Sequence, residues 1–189
     1  MMLHKLKKDL NKRKPIYINQ EERLAAVMIP IIKSSLGYEI IFTKRLSTLP
    51  THAGEVSFPG GLKEKNDSSL EITAIRETVE EIGINAGHIE IIGRLDDEMS
   101  IHKFKVAPFL GYINSNTKIE DLNFQKSEVE RVFSVPIEYF FTCQHWRETW
   151  VRKDDKVTVY FYPYKDLIIW GLTGRILSKL LKIVSEYLK

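Results

Sequence analysis

Residues Val56 to Ile84 read VSFPGGLKEKNDSSLEITAIRETVEEIGI: a strand-like start, a double glycine, a polar loop and a helix with clustered acids. Side chains three and four residues apart share one face of an α-helix, so Glu77, Glu80 and Glu81 project toward the same small volume. Like charges so placed repel, and a cation belongs among them. Arg76 alone cannot neutralise three carboxylates; the role that suits it is to pair with one glutamate and fix its orientation. Gly60 and Gly61, behind Pro59, leave a backbone free of Cβ atoms, which lets its carbonyls and amides approach a ligand or metal. Hard oxygen donors of this kind select Mg2+ or Mn2+ over zinc. RETVEE alone also reads as an ordinary solvated acidic face; the double glycine and the cap argue for the chemical reading.

The helix itself is well marked. Ser68 is the expected N-cap, with Glu71 reaching back three residues later as a capping box. Leu70, Ala74, Ile75, Val79 and Ile82 make the apolar stripe and Gly83 the stop. A second helix, LTGRILSKLLKIVSEYL, carries Leu172, Ile176, Leu180, Ile183 and Val184 at helical spacing and reads as a lid over a sheet. Strands are expected from Leu24 (LAAVMIPII), Tyr38 (YEIIFTKR), Glu55 (EVSFP), Ile89 (IEIIGRL), Phe104 (FKVAPFLGYI) and Lys156 (KVTVYFYPY), giving one mixed α/β domain. Trp146, Trp150, Tyr160 and Phe161 are assigned to strand-core packing rather than to a stacking platform for bases.

The chain of 189 residues is 43% hydrophobic and 28% charged, enough for one substantial core. A net charge of +3 suits polyanionic substrates but is too small, without a basic face, to argue for nucleic acid. Much of the excess lies in residues 1–22, where Lys5, Lys7, Lys8, Lys12, Arg13 and Lys14 stand against Asp9 and Leu3, Leu6 and Leu10 recur at helical spacing. That segment reads as a solvated terminal helix ahead of a domain spanning 23–189; a role at membrane surfaces or in steering phosphates is the lesser alternative. No apolar run approaches the ~20 residues of a membrane span, and no secretory core follows the first charges, so the expected location is cytoplasmic. Cys143 is the single cysteine, which excludes an internal disulfide and a cysteine-based zinc site.

From Gly61 to Ile84 the pattern resembles the box of the Nudix hydrolase family, with Arg76, Glu77, Glu80, Glu81, Gly83 and Ile84 in place. Asp67 stands where the box has glutamate, eight residues rather than seven separate it from Arg76, and Thr78 occupies a nominally apolar position. The run FTKRLSTLPTHAGEVSFPGG is similar to the accessory pattern of the coenzyme A pyrophosphatase branch, through Thr43, Arg45, Gly54, Phe58, Pro59, Gly60 and Gly61. There Leu46 replaces a small residue, and Pro50 stands where the pattern has its second arginine; unlike an arginine, Pro50 cannot hold a substrate phosphate. Resemblance continues in EVERVFSVPIEYF and WGLTGRIL and spans about Arg23 to Leu177.

The resemblance implies a Nudix-type α/β/α sandwich with a mixed sheet that hydrolyses a diphosphate linked to another moiety. It implies that Glu77, Glu80 and Glu81, with the Gly60 carbonyl, hold Mg2+ or Mn2+, and that one glutamate doubles as base. Glu98 in LDDEMS is a further metal candidate; Lys44, Arg45 and Gly61 are the substrate-binding candidates, and His52 is left as a loop histidine. The expected substrate is coenzyme A or acyl-CoA. Alternatives are ADP-ribose or an oxidised deoxynucleoside triphosphate, or a Nudix-like module that binds nucleotides without cleaving them.

Overall fold

A computed structural model of the chain describes residues 2–19, 23–35, 37–114, 118–152 and 155–187. Its centre is β1 (Leu24–Ser34), an apolar strand whose two edges are used differently. One edge runs parallel to β7 (Lys105–Ile113) from Leu24 opposite Lys105 to Ile31 opposite Tyr112. The other is shared between two partners: β4 (Gly60–Leu62) takes Ala25 to Val27, and β2 (Gly37–Arg45) takes Ile31 to Ser34. The change of partner falls around Pro30, a residue with no N–H to give a ladder.

Beyond that point β1 and β2 diverge. β3 (Val56–Ser57) follows β2 and β4 follows β1, so Phe58 and Pro59 cross the wedge and deliver the double glycine into it. β5 (Ile89–Arg94) and β6 (Glu98–Met99) extend the sheet beyond β7, and β8 (Val129–Pro136) covers the outer edge of β2. The parallel β1–β7 pair among antiparallel neighbours makes the sheet mixed.

Side-chain alternation sends Ile29, Ile31, Ile40, Phe42 and Leu110 to one face, where α1 (Met2–Lys12) and α4 (Gly171–Val184) cover them. Ala26, Met28, Ile41, Ala107 and Phe109 go to the other, under α2 (Leu70–Ile82). This is the expected α/β/α sandwich.

Three local expectations change. The terminal helix is not solvated all round: Leu6 and Leu10 are buried in the main core, because its leucine stripe has a sheet face to cover. The cap of α2 is Ser69, not Ser68; Ser69 is extended, and its Oγ accepts the Ile72 N–H at 3.2 Å. Helix geometry places a capping side chain three residues before its donor, and the helix starts one residue later than expected. Gly83 closes α2 as expected, with a left-handed φ of 73°.

The third change concerns the aromatics. A short helix, α3 (Tyr139–Thr142), leads to a second antiparallel sheet of β9 (Trp146–Arg152), β10 (Asp155–Tyr164) and β11 (Leu167–Ile169). Phe161 is buried, but Trp146 and Trp150 are 41% and 46% exposed, since β9 is an edge strand. No helix among the described residues is long and apolar enough to cross a membrane.

Candidate functional site

The glutamate helix meets the sheet at the wedge, and the double glycine is required there by contact on two sides. A Cβ on Gly60 would lie 2.4 Å from the Ala26 carbonyl oxygen, and one on Gly61 would lie 2.4 Å from Glu77 Oε1. These glycines let the loop close against β1 and let the Glu77 carboxylate lie on bare backbone.

Arg76 is the hub of the loop end. Its Nε and Nη2 donate to Asp67 Oδ1 and Oδ2 at 3.2 and 3.0 Å, and Nη2 also donates to the Leu62 carbonyl at 3.0 Å. Nη1 donates to Glu77 Oε1 at 2.9 Å and to Glu80 Oε2 at 3.1 Å. Asp67 further accepts the Glu64 N–H at 2.9 Å and the Thr73 hydroxyl at 3.0 Å. The Arg76 guanidinium, with those donors, holds the Asp67 carboxyl far below the usual range against the opposing effect of burial. The extra loop residue therefore leaves Asp67 in register for a two-pronged pair with Arg76.

At the other end of α2 the balance reverses. Glu81 is buried, and burial with the neighbouring Glu77 pushes its carboxyl up to about 8; Arg45 and the Gly60 amide oppose the rise and Glu128 adds to it. Burial also raises Glu77, outweighing its pair with Arg76, and Glu80 and Glu128 repel it further. Glu80 is exposed. Thr78, at the nominally apolar position, is buried and spends its hydroxyl on the Ala74 carbonyl at 2.7 Å.

Arg45 ends β2 beside this group, with Nη1 3.8 Å from Glu128 Oε2. Glu128 precedes β8, and its place near both Glu77 and Glu81 was missed; the signal was its position at the head of EVERVFSVP, which pairs with the strand carrying Arg45. Lys44 turns elsewhere and pairs with Glu130 Oε1 at 2.7 Å. Glu98 is not brought to the glutamates: it is buried at β6, 2.6 Å from both Arg175 Nε and Lys179 Nζ of α4, on the opposite side of the sheet from α2. His52 lies 2.9 Å from Glu55 Oε2 through Nδ1, with its ring edge-on to His102. Gly60 presents its amide, rather than its carbonyl, to Glu81.

The donor chemistry fits a hard divalent ion, since a buried carboxylate beside two others and one arginine is short of positive charge. Side chains as they stand do not form a finished cage: among the described residues no three acidic or imidazole groups are gathered at metal-binding distance, and Glu77 and Glu80 are engaged by Arg76.

The chain matches the NUDIX domain model over residues 22–167. It is 34% identical to Nudix hydrolase 15, mitochondrial, and 38% identical to Nudix hydrolase 22, chloroplastic, both of Arabidopsis thaliana, over 96% and 86% of its own length. It spans only 63% and 55% of those two plant proteins. With the uncharacterized Nudix hydrolase NudL of Pectobacterium atrosepticum it shares 32% identity over 88% of its length and 85% of the relative's. Among solved structures, the NUDIX domain of Shewanella oneidensis NrtR complexed with ADP ribose superposes with a TM-score of 0.55 at 16% identity, covering 90% of each chain, a likeness of fold alone. The box, the sandwich that holds it and these matches agree, and the chain belongs to the Nudix hydrolase family.

Proposed function

We propose that the chain hydrolyses the diphosphate bond of coenzyme A or acyl-CoA, giving 3′,5′-ADP and 4′-phosphopantetheine or its acyl derivative. The observation that carries this reading is the convergence of two sequence signals at one place: Arg45, from the accessory run, stands beside Glu81 and Glu128 at the wedge filled by the Gly60–Gly61 loop. In this reading residues 23–189 are the catalytic domain, preceded by a basic N-terminal segment, residues 1–22, and the protein acts in the cytoplasm.

Glu77, Glu80 and Glu81, with the Gly60 carbonyl, would hold Mg2+ or Mn2+; Glu98, spent on Arg175 and Lys179, is left out of the set. Such an ion, when bound, supplies charge that polarises the phosphoryl group and makes water a stronger acid. Arg76 orients Glu77 and Glu80 from behind, and Asp67 orients Arg76. One carboxylate of the cluster takes the proton of the attacking water as the new phosphorus–oxygen bond forms and the bridging one breaks. Arg45 and Gly61 bind substrate anion; Lys44, next to Arg45 on β2 but turned to Glu130, adds positive charge at longer range.

Product analysis after incubation with coenzyme A, acetyl-CoA, dephospho-CoA, ADP-ribose and an oxidised deoxynucleoside triphosphate, with Mg2+ or with chelator, tests the proposal. Mg2+-dependent release of 3′,5′-ADP from coenzyme A is expected. Preference for ADP-ribose or the oxidised nucleotide moves the substrate within the family, and nucleotide binding without turnover makes the chain a binding module.

A further inference from the structure

Two turns meet across the open end of the wedge, and the catalytic reading uses neither. One joins β2 to β3, residues 46–55, on the β2 side; the other joins β6 to β7, residues 100–104, on the β1 side. Their contact is a pair of imidazoles: the rings of His52 and His102 stand edge-on, 5.6 Å between centroids and 83° between planes.

The His52 half of the pair is anchored to the face of the sheet that carries the glutamates. The Arg45 N–H donates to the Glu55 carbonyl at 3.0 Å, one step beyond the pairing of Lys44 with Val56. Residues opposite one another in a ladder share a face, and successive residues alternate. Val56 belongs to the core under α4, so Arg45 and Glu55 face the α2 side, as the closeness of Arg45 to Glu81 requires. From that face Glu55 Oε2 lies 2.9 Å from His52 Nδ1. A carboxylate only accepts, so Nδ1 carries the proton and Nε2 is the nitrogen left for a ligand. His52 is presented by a closed turn: its backbone is left-handed, with φ 55°, and its carbonyl accepts the Glu55 N–H at 3.2 Å. Neither His52 Nε2 nor either nitrogen of His102 has a hydrogen-bond partner among the described residues. Both rings are exposed at the mouth, and Lys103 and Lys105 flank His102 in the chain.

We propose that His52 and His102 bind a substrate phosphate away from the scissile bond, the 3′-phosphate of coenzyme A, with Glu55 as the positioning residue behind His52. The inference rests on the coenzyme A reading given above. In that reading the diphosphate belongs to the ion at the glutamates, so a phosphate at the mouth is a second one. Two imidazoles set against one carboxylate are short of negative charge, the reverse of the shortage at Glu81. A phosphomonoester supplies that charge, and the His52 ring, protonated between it and Glu55, donates on both sides.

Kinetics of His52→Gln and His102→Gln on coenzyme A and dephospho-CoA, with Mg2+, test this. In each variant kcat/KM for coenzyme A is expected to fall roughly tenfold and that for dephospho-CoA by less than about twofold. Glu55→Gln is expected to give a smaller loss with the same selectivity, since it acts through His52. Equal losses on both substrates, or an unchanged kcat/KM for coenzyme A, overturn the proposal. A second measurement is independent of turnover: in NMR spectra of the imidazole nitrogens, assigned with the same variants, 3′,5′-ADP is expected to shift His52 and His102 and AMP to shift them far less. A wild type that leaves coenzyme A uncleaved removes the coenzyme A reading alone, and the NMR titration then decides. Shifts specific to 3′,5′-ADP uphold the phosphate site; equal shifts with AMP, or none, overturn it.

Discussion

Asp67 and Glu81 are equally buried, each 5% exposed, and belong to one loop-and-helix unit, yet their carboxyls are driven in opposite directions. Asp67 has a guanidinium in two-pronged contact, a hydroxyl and a backbone N–H; its charge is fully answered inside the protein. Glu81 has Glu77 and Glu128 as neighbours, and only Arg45 and one amide in its favour. Burial opposes the charged form of both, but it is the foremost cause at Glu81, which lies deeper despite the same exposure, while at Asp67 the Arg76 guanidinium outweighs it. The lesson is a division of labour: one end of the box is a finished structural joint, and the other is left short of positive charge, which is where we propose that an external cation binds.

The largest effect is expected at the finished end. Arg76→Met strands Asp67 in the interior without its main partner, and urea unfolding is expected to show a loss of roughly 3 kcal/mol or more. Unaltered stability would mean that Thr73 and the Glu64 amide suffice, and the contrast between the two ends would fail. Next comes Glu81→Gln, expected to lower kcat by ~10²-fold or more while leaving the fold intact, the scale for lost preorganised electrostatics. Wild-type turnover in that variant would reduce Glu81 to a buried spectator.

The two carboxyls also predict opposite limbs of a pH profile in the metal-free protein. Asp67, with its folded pKa depressed, stabilises above its ordinary value of 3.8, and that contribution is lost as pH falls. Glu81, raised from 4.5 to about 8, favours folding most below 4.5 and costs stability, on the order of 4 kcal/mol, as pH climbs to 8. Unfolding midpoints in chelator at pH 5 and pH 8 should fall between those values for the wild type, and less for Glu81→Gln. An equal fall in both would locate the titrating group elsewhere. The smallest effect separates two adjacent serines: Ser69→Ala is expected to cost about 1 kcal/mol and Ser68→Ala almost nothing. The reverse order would restore the cap to Ser68.

The contrast also explains what could be read without coordinates. Glu77, Glu80, Glu81 and Arg76 are related by helical spacing, a local property, and Gly83 by the need for a left-handed residue at a helix end. Glu98 shows the limit. Its partners, Arg175 and Lys179, lie on a helix more than seventy residues away, and no local spacing announces that a carboxylate is already answered. Glu128 went unnoticed for the same reason, because only the pairing of β8 with β2 carries it to Glu77 and Glu81. Leu6 and Leu10 showed their stripe plainly in the sequence, but whether that stripe had a surface to bury against depended on the sheet face beside α4. Trp146 and Trp150 have the composition of core strand residues; an edge position, set by topology alone, leaves them half in solvent.

The central claim is that the Glu81 end of the helix is completed by a divalent cation. Thermal unfolding at pH 8, with Mg2+ titrated into wild type and Glu81→Gln, tests it most directly. A ligand that binds only the folded state raises the midpoint with its concentration, so the wild-type midpoint should climb with Mg2+ and that of the variant should climb much less. A wild-type midpoint indifferent to Mg2+, or an equal climb in both proteins, would contradict the account.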